Sequence, residues 1–348
     1  MSKKIFIDAA QYCNWSEKIF GEMAAGGVAA VNATVSYHED FRETVNELIA
    51  WNWRFRQHRD LIMLGKEAAD IDRALANGRT AIFLGLQNPS PIEADVGLVK
   101  VLFDLGIRFM QLSYNNQSLL CAGWMEAEDC GLTNMGRQVV AEMNRIGMVI
   151  DMSHSAERST IEAIDLSSRP IVISHANPYS WRETARNKSD DVLKRLAARA
   201  GMIGLSLYPA HLSRGSSTKI EEFATMAMRL ADLIGVDHIG IGSDLCQDQP
   251  GHVLKWMREG RWRVPPREDQ EASLEFPAPP DFFQSNLDFG RLNEGLLKAG
   301  FAAKEAAGIL GENWQKFFTH AFQPASGDSH SLPNTCVHDS NLPQRRHA

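Results

Sequence analysis

Two serine–histidine pairs stand at the ends of short apolar runs. Ser153-His154 follows residues 148–152 (MVIDM), and Ser174-His175 follows residues 171–173 (IVI). The segment between them is polar, helix-compatible and about the length of one crossover connection. Strand, helix, strand at this spacing makes a βαβ unit, whose right-handed crossover sets the two strands side by side and parallel. His154 and His175 then emerge at one sheet edge, the carboxyl edge, where α/β barrels place their ligands. Paired neutral imidazoles suit zinc or a similar divalent ion. A lone histidine at a strand end is more often a hydrogen-bonded structural residue. The duplication across one crossover is what turns this pair toward metal chemistry.

Other reactive side chains fall at the same edge. Asp244 follows the last strand-like run within GSD. There a carboxylate can ligate a metal, take a proton from bound water or, in a purely local role, cap a turn. Arg186 lies eleven residues beyond His175 and can grip a carboxylate in bidentate fashion. Residues 10–13, Gln87 and Tyr114 complete the candidate pocket.

The elements that must hold these groups are legible as an alternation. Strand-like runs occupy residues 5–9, 28–35, 81–86, 109–112, 148–152, 171–173, 202–207 and 239–242. Between them, segments such as 41–56, 96–105, 136–146, 190–198 and 221–233 repeat apolar residues at three- and four-residue spacings, as amphipathic helices do. Eight strand-helix units predict an α/β fold, a (β/α)8 TIM barrel. A ninth run at 61–64 reads as an accessory strand, with an open doubly wound sheet as the competing architecture. Residues 249–280, rich in Trp, Pro, Arg and Glu, are too long for an idle connection and read as a loop covering the pocket. Helices resume at 288–299, 303–308 and 313–322. One barrel domain is therefore expected over 1–323, followed by a disordered tail, 324–348, with His330 and His338 solvated.

The chain has 348 residues, 44% of them hydrophobic, enough for one barrel of ~250 residues with extensions. A formal net charge of −7 gives no electrostatic footprint for nucleic acid or an anionic membrane, so the expected partners are small molecules or protein. Five cysteines (Cys13, Cys121, Cys130, Cys246 and Cys336) lack CxxC spacing, which suggests neither a disulfide framework nor a structural zinc knuckle. A reducing, cytoplasmic setting is expected. The first residues enter a strand almost at once, without the apolar region of a signal peptide, and no later run approaches the ~20 apolar residues of a membrane helix.

Five segments carry a resemblance beyond these patterns: GLTNMGRQVVAEMNRIGM, VIDMSHSA, IVISHANPYS, the Arg186-Asn187 pair with DDVL soon after it, and HIGIGSD. Together they resemble the membrane (renal) dipeptidase family, the M19 metallopeptidases, over residues 5 to 322. The resemblance implies a (β/α)8 barrel of the metallo-dependent hydrolase type with a two-zinc site that hydrolyses dipeptides, including some with a D-residue at the carboxyl end. It also implies that His154 and His175 bind one zinc, that Arg186 holds substrate, and that Asp244 ligates the other zinc and assists proton transfer.

Four positions depart from that pattern. The family's first strand ends in D-G-H-x-D, but here the run from Asp8 reads D-A-A-Q-Y, so Ala10 and Tyr12 stand where a histidine and an aspartate would bind the first zinc. Gln87 replaces the bridging glutamate, and Tyr114 replaces a substrate-contacting histidine. Removing two carboxylates and an imidazole takes away most of the charge that offsets two divalent cations. The expectation is one zinc, or another divalent metal, on His154 and His175, with Asp244, Gln87 or the Cys13 thiolate as a third ligand. Asp244 is the better donor among these. Gln87 and Tyr114 would face substrate beside Arg186, Gln87 as a neutral hydrogen-bonding group. The function predicted is hydrolysis of a small amide or dipeptide bearing a free carboxylate, through one zinc-activated water with Asp244 as base. A homodimer is the assembly considered. The alternative is a non-hydrolytic relative, a binding protein or a lyase- or isomerase-like enzyme, that reuses the pocket.

Overall fold

The computed structural model describes residues 5–260 and 275–322. The tail expected to be disordered, with His330 and His338, lies outside the described residues, as does the middle of the covering loop. Nine parallel strands form one sheet: β1 (Phe6–Gln11), β2 (Val28–Ser36), β3 (Ile62–Gly65), β4 (Thr80–Leu86), β5 (Ile107–Gln111), β6 (Val149–Asp151), β7 (Val172–Ala176), β8 (Met202–Leu205) and β9 (Ile239–Ile241). Except in β3, every strand residue is buried, as expected where helices cover one face and the barrel interior the other.

Pairing of β1 with both β2 and β9, and of β2 with β4, closes eight strands into a ring and excludes the open sheet. The ninth strand stays out of that ring. β4 pairs with β2 along one side; along the other, β3 takes Thr80–Phe83 and β5 takes Leu84–Leu86. The accessory strand thus extends the sheet at one end of β4 without breaking closure.

Helix boundaries follow local chemistry. The Asp40 carboxylate accepts from Glu43 N–H in a capping box that starts the helix Phe41–Gln57. Thr133 and Ser189 cap Asn134–Ile146 and Asp190–Ala198. Gly147 ends the former at φ 82°, turning the chain directly into β6.

The two ends of the barrel differ in kind. At the amino ends of the strands, helix Asn313–Ala321 closes the interior: Trp314 Nε1 donates to Ile241 O at 3.0 Å, and Phe318 packs on Phe83 and Phe109. Gly240 makes room for this plug, since a Cβ there would lie 2.1 Å from Trp314 Nε1. The carboxyl ends carry Asp8, Thr34, Gln87, Asp151, Ser153, Ser174 and Ser243, all buried. Beyond β9, helix Gly251–Glu259 reaches across this polar end and is tied down by Trp256 Nε1 donating to Glu39 Oε1 at 2.8 Å. Among the described residues no helix is long and apolar enough to cross a membrane.

Candidate active site

The histidine pair is built on a carboxylate. Asp151, the last residue of β6, accepts from Ser153 N–H and Ser174 N–H at 3.0 Å each, and from Ser153 Oγ and Ser174 Oγ at 2.5 Å each. One side chain therefore fixes both serines and, through them, the backbone that presents His154 and His175. The serine before each histidine is the hinge of that arrangement.

Both tautomers follow from donor counting. The Trp124 indole N–H can only donate, and it meets Asn115 Oδ1 at 2.7 Å, so the atom that His154 Nδ1 meets at 2.8 Å is an oxygen and Nδ1 carries the proton. Ser174 Oγ already donates to Asp151, so it accepts from His175 Nδ1 at 2.7 Å. Each imidazole is left with a bare Nε2. These two nitrogens face each other at 3.0 Å.

Two lone pairs at that separation repel, and a cation between them removes the conflict. Burial, together with the nearby Arg186 charge, lowers both imidazoles well below the usual histidine range and keeps them neutral, the state a metal ligand needs. Nitrogens each ~2.0–2.1 Å from a tetrahedral zinc would lie about 3.3 Å apart, so the observed pair fits such an ion after a small opening. The anchored Nδ1 atoms match the outer hydrogen bonds that orient metal-bound histidines. Among the described residues no three His, Cys, Asp or Glu side chains are grouped closely enough to hold an ion. The pair therefore stands as two bare imidazole nitrogens with no third ligand-type group beside them among the described residues.

Arg186 is buried behind this pair. Its Nη1 donates to Ser153 O at 2.6 Å and its Nη2 to His175 O at 2.9 Å, while Nε is buried without a partner. Burial lowers its pKa to about 10, partly offset by Asp244 and Asp151, so it stays charged at neutral pH. Two residues on, Lys188 is also buried and donates from Nζ to Ser155 O at 2.7 Å. Burial, and then the Arg186 charge, lower its pKa to about 7.

A cleft of about 630 Å³ opens over His154 and Arg186. Tyr114, Trp124, Met125, Tyr208 and Met257 form much of its wall, with His211, Asp244 and Arg258 as further polar groups. Tyr114 lies over His154 with ring centroids 4.3 Å apart. Asp244 sits at φ 57° just past β9, where its N–H donates to Ala10 O at 2.9 Å, and this left-handed turn sends its side chain to the cleft. Burial raises its pKa to about 6 against the opposing pull of Arg186.

The opposite half of the barrel mouth is built differently. Tyr12 packs edge-on against Tyr37 at 4.8 Å, and Tyr37 against Tyr114 at 4.8 Å, so aromatic rings fill the side where Ala10 and Tyr12 depart from the two-zinc pattern. Gln87 is buried, donates from Nε2 to Thr34 Oγ1 at 2.9 Å and is not part of the cleft wall. Cys13 belongs to the apolar core, its thiol pushed up by burial and donating to Leu245 O at 3.4 Å. Gln11 pairs with Asn286 and Asp8. The structure thus brings His154, Arg186, Tyr114 and Asp244 to one cleft with His175 directly beneath, and leaves Gln87 and Cys13 outside it.

Comparison with known proteins agrees with this architecture. The sequence model of the membrane dipeptidase family, peptidase family M19, matches residues 18–255. The chain belongs to that family. Among its M19 relatives, the dipeptidase tcpJ of Claviceps purpurea (strain 20.1) is 29% identical over 220 residues, 62% of this chain and 52% of the relative. The dipeptidase verJ of Clonostachys rogersoniana is 28% identical over 209 residues, 60% and 54%. The chain spans about half the length of these curated relatives. Among solved structures, an amidohydrolase from Pseudomonas aeruginosa superposes with a TM-score of 0.86 at 33% identity, covering 92% of this chain and 97% of that one. A metallopeptidase from Rhodobacter sphaeroides, solved with a phosphinate mimic of L-Ala-D-Ala, shares the fold at TM-score 0.76 and 18% identity, over 92% and 100%. An M19 metallohydrolase fold is therefore established for this chain.

Several residues that shape this M19 site escape a reading of strand ends: Asp151, Asn115, Trp124, Lys188 and His211. Asp151 alone had a signal, as the acidic residue inside MVIDM two places before Ser153. Asn115 reaches His154 from a different loop, and nothing in its own sequence neighbourhood marks it.

Proposed function

We propose that the chain is a metal-dependent amide hydrolase of the M19 type. Its substrate would be a small amide or dipeptide-like molecule with a free carboxylate, and it would work with one divalent ion, zinc by preference. The observation that carries this reading is the pair of bare Nε2 atoms of His154 and His175, 3.0 Å apart, with both Nδ1 protons engaged elsewhere. These two residues would hold the ion, with Asp244, which lines the same cleft as His154, as the candidate to complete the set. When bound, such an ion supplies a Lewis acid and lowers the pKa of water to about 7.

The rest of the work falls to the chain's own groups. Arg186 is a buried cation only partly balanced by Asp244 and Asp151; its hydrogen bonds go to neutral carbonyls and its Nε has no partner, so a substrate carboxylate is the partner it lacks. Asp244, raised to about 6, is ionised at neutral pH yet basic enough to accept a proton from attacking water and pass it to the leaving nitrogen. Tyr114 and Met257 cover the reacting amide and keep bulk water away. The balance is simple: water adds hydroxyl to the acyl carbon and hydrogen to the nitrogen as the C–N bond breaks.

One observation favours the second reading, a binding protein or non-hydrolytic enzyme: no three-ligand group is pre-assembled among the described residues. Elemental analysis of purified protein beside a panel of dipeptides and N-acyl amino acids separates the two. One tightly bound ion with turnover supports the hydrolase; tight binding of carboxylate ligands with neither ion nor turnover replaces it.

A further inference from the structure

The cleft's charge pattern narrows the substrate class and rests on the hydrolase reading above. A free dipeptide carries an ammonium beside the scissile amide, and a site that accepts it needs negative charge there. Among the described residues, three carboxylates stand near the barrel mouth with every oxygen engaged. Asp8 accepts from Ala10 N–H, Gln11 Nε2, Ser243 N–H and Ser243 Oγ. Asp151 accepts from the two serines and their amides, as described. Glu39 accepts from Trp256 Nε1 on one oxygen and from Tyr37 and His38 N–H on the other. Among the described residues lining the cleft, Asp244 is the one carboxylate, and the proposed proton transfer already uses it.

Positive charge outweighs it. Arg186 and Arg258 both line the cleft, and buried Lys188 lies behind it. Where the first strand departs from the family pattern, the side chains present are the neutral rings of Tyr12, Tyr37 and Tyr114, packed with Met257. Of these, Tyr114 and Met257 reach the cleft, where Trp124, Met125 and Tyr208 complete an apolar wall, while Tyr12 and Tyr37 back it from outside the lining. An ammonium would face the Arg186 and Arg258 guanidiniums, a full-charge repulsion that outweighs the weaker attraction of ring faces, whereas an uncharged apolar acyl group would gain contact with Tyr114, Trp124, Tyr208, Met125 and Met257 at no such cost.

We infer that the preferred substrates are N-acyl amino acids, an uncharged apolar acyl group joined through the scissile amide to an amino acid whose carboxylate meets Arg186, rather than dipeptides with a free amino terminus. The test compares two compounds that differ only in the ammonium: Phe-Ala and 3-phenylpropanoyl-alanine, its desamino isostere. With zinc-loaded protein, kcat/KM should favour the isostere by about tenfold or more, because an unmatched buried charge is strongly rejected. Calorimetric binding of both compounds to metal-free protein should show the same order. Met125→Asp, at a half-exposed position of the wall, should fold normally and shift the preference back toward Phe-Ala.

Failure of the two readings can be told apart. If the isostere binds more tightly but neither compound is hydrolysed, the acyl preference stands and the hydrolase reading falls. If Phe-Ala is hydrolysed or bound better than the isostere, this inference is overturned while the hydrolase survives. Binding of neither compound overturns it as well.

Discussion

The two halves of the barrel mouth began from the same strand ends and finished with different chemistry. On the β6–β7 side, one buried carboxylate organises two serines, and two outward nitrogens are left bare at 3.0 Å. On the β1–β2–β4 side, Gln87 is held by Thr34 and Gln11 by Asn286, tyrosines packed edge-on fill the remaining space, and the buried polar atoms left without a partner, Asn32 Oδ1, Ser36 Oγ and Tyr37 OH, are neutral oxygens. The difference teaches that the proposed metal half-site is recognised by ligand type and satisfaction together: imidazole nitrogens left bare and facing each other on one side, scattered neutral oxygens on the other. A buried polar group with all its partners in place has no affinity to offer.

The largest test of that contrast removes the intact half. His154→Ala or His175→Ala should abolish tight ion binding in elemental analysis and lower turnover by at least ~10³-fold, whereas Gln87→Ala should leave the ion content unchanged. The second test rebuilds the altered half. Gln87→Glu alone should not recruit a second ion, because Ala10 and Tyr12 still cannot ligate. The triple variant Ala10→His, Tyr12→Asp, Gln87→Glu should bind two zincs per chain, and wild-type protein at most one. Two ions on the wild type would show that the ligand map is misplaced.

Smaller effects sharpen the comparison. Arg186→Lys keeps the charge but cannot reach both the Ser153 and His175 carbonyls, so thermal unfolding should show a loss of about 1.5–3 kcal/mol, the range for hydrogen bonds to charged groups, together with weaker carboxylate binding. Asn115 holds φ 59°, so Asn115→Gly removes its oxygen without straining the backbone. Freed of that acceptor, His154 loses its fixed tautomer, and zinc affinity measured by competition with a chelator should fall about 10–100-fold.

The smallest expected effect concerns Lys188. Its folded-state pKa of about 7 lies below its unfolded value of about 10.4, so between these values the unfolded chain binds the extra proton and stability rises with pH. Below pH 7 the lysine is charged in both states and stability is at its minimum with respect to this group. Lys188→Met should flatten that slope. The melting temperature of wild type minus variant should therefore increase from pH 7 to 9, and a difference independent of pH would show that the buried lysine keeps its ordinary pKa.

Much of this was legible in the chain itself. Alternating apolar runs and helical segments fixed the number of barrel strands, because parallel strands buried on both faces must be apolar nearly throughout and so announce themselves. The run at 61–64 was separable as an accessory element. The repeated Ser-His at two successive strand ends placed both imidazoles at one edge, because a right-handed crossover leaves no other arrangement. Asp244 and Arg186 followed from the same edge rule.

Tertiary structure alone decided how those groups are used. Whether Gln87 meets a substrate or a neighbouring threonine depends on side-chain direction at a strand end, which a pattern of period two does not specify. Cys13 carries a ligand's atom type, but its position in the apolar core withholds it. Arg186 looked like a fork for substrate, and its fork is anchored to Ser153 and His175, leaving a buried charge in place of a free clamp. Asn115 reaches His154 across 39 residues, and Asp8 reaches Ser243 across 235. The physical reason is common to all of them: sequence periodicity encodes which face of an element is buried, while hydrogen-bond satisfaction is a property of three-dimensional neighbourhoods assembled from distant segments.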